Sequence, residues 1–151
     1  MSVEHVAKLV AEAVKDALNS GTFSQTFTAI RAYRPLFDLP EMKDLHVTVV
    51  PKDVVESMAS RHSVQQDVRV DVAVQQKVTS DAEADVLMGL VQEIAQFVRF
   101  TRLTTMPSAA WLETENSPIY APEHLEKLSQ FTSVLTVTYR LFAREGAGGE
   151  S

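Results

Sequence analysis

The stretch DVRVDVAVQQKV, residues 67–78, decides the kind of fold this chain adopts. Val68, Val70, Val72 and Val74 take every second position, and Asp67, Arg69, Asp71, Ala73 and Gln75 fill the gaps. Side chains of a strand alternate between its two faces, so a period of two with β-branched residues on one parity reads as a strand. One face is apolar and suited to a core. The other is charged or amide-bearing and suited to water or to a neighbouring subunit.

Working outward, residues 54–63 (VVESMASRHS) are weaker: Val54, Glu56, Met58 and Ser60 alternate with Val55, Ser57 and Ala59, and neither parity is clearly apolar. This segment reads as an extended arm or edge strand that turns near residues 62–66 and pairs with the valine strand as a long antiparallel hairpin. Before it, LHVTVVP reads as a short strand ending at Pro51, where the missing N–H interrupts a ladder. Upstream, residues 22–35 (TFSQTFTAIRAYRP) bring Phe, Thr, Ile and Tyr together, a composition that predicts another strand.

Two amphipathic helices flank these strands. Val3, Val6, Val10, Ala13, Val14, Ala17 and Leu18 recur at three- and four-residue intervals, with Ser2 placed to cap the start and Gly21 placed to end the helix in a left-handed conformation. The second helix opens at Ser80 with Glu83 three residues on, a capping-box spacing. Val86, Leu87, Leu90, Val91, Ile94, Phe97 and Val98 give it a wide apolar stripe, and Gly89 interrupts its middle. After it, a short strand is predicted over residues 109–115 with Trp111 half-buried, a helical turn near PEHLEKL, and a closing strand over FTSVLTVTYRLFAR. The fold expected is α+β: a mainly antiparallel sheet, two helices on one face and a long protruding hairpin. Residues 1–144 read as one domain and residues 145–151 (EGAGGES) as a flexible tail.

Composition narrows the function. There is no cysteine, so thiolate nucleophiles, disulfides and zinc–thiolate sites drop out together. No run of about 18 apolar residues spans a membrane, and charged residues pass through the N-terminal stretch where a secretory core would sit. A net charge of −6 argues against general nucleic-acid binding, which needs a cationic surface.

Neither does a catalytic constellation emerge. The four histidines are scattered without metal-ligand spacing, and the five glycines form no phosphate-cradling loop between a strand and a helix. Asp67 and Asp71 lie about 13 Å apart along an extended strand, too far to share a proton. No catalytic, metal or cofactor residue is expected. What remains is an exposed hairpin whose unpaired backbone either offers an edge to another chain or stands alone in solvent.

The element order is familiar at this point: an N-terminal amphipathic helix, a long hairpin ending in DVRVDVAVQ, the acid-started helix DAEADVLMGLVQEI, and a closing FTSVLTVTYRLF. Over roughly residues 2–144 it resembles the tail terminator (tail completion) proteins of long-tailed bacteriophages and their neck-region relatives. That resemblance implies a non-enzymatic virion protein forming a homo-oligomeric ring, a hexamer, which caps the tail tube and joins it to the head connector. Its partners would be tail tube protein and head–tail connector protein, with DNA passing through without specific binding. It would be found in the virion tail or neck, and in host cytoplasm during assembly. The residues then expected at subunit interfaces are Val54, Glu56, Met58 and Arg61 on the arm, Arg31 and Arg34 pairing with acids such as those opening the second helix, and Trp111 and Tyr120 in irregular segments. Two other readings stay open: a component of another contractile or secretion tube, and a small ligand-binding or enzymatic α+β domain with a pocket between helix and sheet.

Overall fold

The computed structural model describes residues 4–33, 44–117, 119–123, 125 and 130–144. The valine ladder forms the middle of the sheet. In chain order the elements are α1 (Val6–Ser20), β1 (Ala29–Arg31), β2 (His46–Ser60), β3 (Ser63–Lys77), α2 (Asp81–Phe100), β4 (Ala110–Asn116) and β5 (Gln130–Arg144). The five strands lie in the order β1-β2-β3-β5-β4. Every neighbouring pair is antiparallel except β1 with β2, which is parallel.

Val68, Val70, Val72 and Val74 have no exposed surface. Register places them opposite Val54, Pro51, Val49 and Val47 on one side, and opposite Tyr139, Val137, Leu135 and Ser133 on the other. These residues share one face, and both helices close over it. α1 covers β1 to β3 with Val10, Val14 and Leu18; α2 covers β5 and β4 with Leu87, Leu90, Ile94 and Val98, all in one continuous core. Each large aliphatic side chain buried there stabilises the fold by about 1.5–3 kcal/mol relative to exposure.

Several expectations are corrected. β2 does not end at Pro51. It continues through a bulge at Lys52, where register shifts between Pro51 and Asp53, and runs on as the arm. A one-residue insertion moves every later side chain to the opposite face, so apolar parity is odd before the bulge and even after it. Among the described residues of the predicted first strand, only Ala29–Arg31 is a strand, and residues 34–35 lie outside them. Phe23 and Phe27 instead stack with each other and Phe23 meets Phe97 edge-on, ring centroids 5.2 and 5.1 Å apart. The side chain of Asn19 holds β1 in place, accepting from the Ala29 N–H at 2.7 Å and donating to its carbonyl at 3.0 Å. Gly21 is extended, not left-handed, with φ −84°. It is needed because a Cβ there would meet the Phe23 and Phe97 rings at 2.9 Å.

α1 begins at Val6, with His5 Nδ1 accepting from the Ala7 N–H at 3.0 Å; Ser2 lies outside the described residues. The second cap forms at Ser80 as predicted, Ser80 Oγ accepting from the Glu83 N–H at 3.3 Å, but the Glu83 carboxylate reaches one residue further back and accepts from the Thr79 N–H at 2.7 Å. The predicted tail, residues 145–151, also lies outside the described residues.

Candidate assembly interface

The outer halves of β2, β3 and β5 run past both helices and form a three-stranded tip. Val54 is the last arm residue packed against the core. Beyond it Met58 is 81% exposed, Val55 58% and Phe142 62%. Arg61 and His62 make the two-residue turn, closed by a 2.8 Å contact between the hydroxyls of Ser60 and Ser63. On the helix-side face, Met58, Val64 and Ala143 stand in one row across the three strands, next to Glu56, whose carboxylate accepts from Gln66 Nε2 at 2.6 Å. They line a shallow depression of about 530 Å³ with Arg61 and His62. Among the described residues β2 has a strand on its outer side only at Val47–Val49, so the edge of the arm is open. Among the described residues the far edge of β4 likewise has no strand beside it. Open edges are templates for pairing with another chain.

The face turned away from the helices carries paired charge. Arg69 donates to both oxygens of Asp53, through Nε at 2.8 Å and through its second nitrogen, and Arg140 grips Asp67 in the same forked way at 2.8 and 3.1 Å. Lys52 lies 3.9 Å from Asp71, which also accepts from the Thr136 hydroxyl at 2.6 Å. Each pair bridges two neighbouring strands, so the ladder holds the arm to β3 and β3 to β5. Hydrogen bonding from Arg69 holds the Asp53 carboxyl below the usual carboxylate range, and hydrogen bonding from Arg140 does the same for Asp67.

These carboxylates bind protons more weakly folded than unfolded, so their stabilisation is complete above the unfolded value of about 3.9 and is lost as pH falls through the lower folded values. Thermal unfolding is therefore expected to show no loss from these pairs between pH 7 and about 4, and a decline below that. The double variant Asp53→Asn, Asp67→Asn should flatten the decline. An unchanged acid limb would contradict this assignment. The pairs are partly solvated, and salt should weaken them.

The other residues expected at interfaces are spread apart. Arg31 does not reach the second helix. It lies on the helix-covered face and pairs with Glu12 of α1, with its guanidinium 5.1 Å from the Tyr33 ring centroid and one nitrogen, Nη1, buried without a partner. The parallel β1–β2 pairing sets Arg31 opposite Val49, under α1. Arg34 lies outside the described residues. Trp111 is half-buried on β4 in the same cross-strand row as Val54, three strands away, and donates from Nε1 to the Thr114 hydroxyl at 2.7 Å. It lines a groove of about 430 Å³ between α2 and β4 that also holds Gln92, Arg99 and Glu113. Tyr120, in the segment between β4 and β5, is 41% exposed. Among the described residues no three His, Asp or Glu side chains gather as metal ligands, and no helix is long and apolar enough to cross a membrane.

The sequence reading did not single out Val64, Phe142 and Ala143 as exposed residues of the tip. A signal for Phe142 exists: it occupies the largely polar parity of β5 that also holds Thr132, Thr136, Thr138 and Arg140, where a large aromatic residue has no core to enter.

No family model matches this sequence, and no curated protein matches it. Among solved structures the chain is similar to one from the virion of a native gene transfer agent particle, with a TM-score of 0.59 and 15% sequence identity, covering 91% of this chain and 98% of that one. At that identity the likeness is one of fold: the helix and strand arrangement is shared along nearly the whole length of both chains.

Proposed function

We propose that this chain is a structural virion protein of the phage type: a ring-forming tail or neck component that caps the tail tube and meets the head connector, with six copies in the ring. The observation that carries this reading is the end-to-end likeness in fold to a chain of a gene transfer agent virion. The tip and the sheet edges support it. A closed ring needs two different surfaces on each subunit, one meeting the other on the next copy. Among the described residues, the open-edged arm at one side of the sheet and the side formed by α2 and β4 at the other supply two such surfaces.

The ion-pair ladder supports passage of DNA without capture. Lys52, Arg69 and Arg140 on the helix-free face each lie within salt-bridge distance of a carboxylate of the same subunit. Cations already neutralised release few counterions on meeting phosphate, so they give DNA little to hold. Particles assembled in the absence of this chain test the role. Heads and tails that fail to join, or tubes of unregulated length, are expected; fully joined particles of normal tail length would overturn it.

A further inference from the structure

Nothing among the described residues requires a glycine at position 89. It sits in the middle of α2, yet a Cβ placed on it would meet nothing within 4 Å. Glycine is the poorest helix former after proline, so an exposed helix interior gains by replacing it. The helix face around it is short of charge for a solvent face: Met88, Gly89, Gln92 and Gln96 are exposed, and Val86 and Met88 are 49% and 41% exposed. Toward the N-terminus the same helix carries Asp81 and Asp85, neither in an ion pair among the described residues.

We infer that the exposed face of α2, centred on Gly89, is the seat for the hairpin tip of a second copy of this chain, the glycine letting the two backbones approach closely. This rests on the ring reading and names its contact. The tip carries the complement: Met58 almost fully exposed, and beyond it Arg61, which has no ion-pair partner among the described residues. Spacing agrees as well as sign. With Met58 set against Gly89, Arg61 stands three residues on, in the turn at the tip and no more than about 10 Å away. Asp85 and Asp81 lie about 6 and 12 Å from Gly89 along the helix, a span that a turn arginine within that reach can meet.

Two measurements on the full chain test this. Gly89→Gln should raise the melting temperature in dilute solution by about 2 °C, because it removes a helix-interior glycine, while weakening self-association at least tenfold. The chain has no cysteine, so Met58→Cys and Met88→Cys copies mixed with a short bis-maleimide should link to each other, and neither alone should link to itself. Wild-type rings with undiminished assembly of Gly89→Gln and no mixed link would overturn the α2 seat and leave the ring standing. A wild-type chain that never self-associates would overturn both.

Discussion

Leu90→Ala is expected to lower the unfolding free energy by about 2–5 kcal/mol. Leu90 is fully buried at the centre of α2, on the face that also carries Leu87, Val91 and Ile94, and it belongs to the core that includes Leu135 and Val137 of β5. Alanine removes the methyl groups that help close the contact between helix and sheet and leaves a cavity there. A net stability of about 5–15 kcal/mol leaves little margin for such a loss. Urea unfolding should show a lower midpoint at an unchanged slope. Met88→Ala, two residues away on the exposed face, should change the monomer by less than about 0.5 kcal/mol. A cost below about 1 kcal/mol for Leu90→Ala would contradict the placement of α2 over β5.

Cutting the tip away should separate folding from assembly. Replacing residues 56–66 by Asn-Gly joins Val55 to Asp67, which already pair across β2 and β3, through a turn suited to a two-residue hairpin. Val54 opposite Val68 is retained, and with it the packing under the helices. The shortened chain should remain folded, with a stability loss of no more than about 2 kcal/mol, because most side chains removed are exposed. Self-association should weaken at least hundredfold, about 2.8 kcal/mol of association energy. Rings from the shortened chain would show that the arm is not the contact.

Much of this architecture was legible in the residues themselves, and the failures have identifiable causes. Strict valine alternation gave β3, and the Ser80–Glu83 spacing with its apolar stripe gave α2, because each signal depends on near neighbours alone. The arm looked weakly amphipathic because beyond Val54 it leaves the core and is exposed on both parities, and its continuity with Val47 and Val49 was hidden by the inversion at the Lys52 bulge, which is set by the partner strand. Read with the inversion, Val54, Glu56 and Met58 continue the face begun by Val47 and Val49. Residues 22–28 carried strand composition yet packed as an aromatic group against α2, a tertiary choice that overrode local preference. Arg31 was expected at an interface because its partner Glu12 lies on another element, out of reach of any local pattern. Of the expected interface residues, Met58 and Arg61 stand free on the tip, while Val54 is its anchor in the core. Gly89 was visible from the start as an odd residue in a helix, but the open space around it, on which the proposed seat rests, is visible only in the fold.

The mass and shape of the purified chain in solution test the central claim most directly. Light scattering during size exclusion, with electron micrographs of the same peak, should show a closed ring with a central channel. A strict monomer at high concentration, or a two-fold dimer that grows no further, would contradict it.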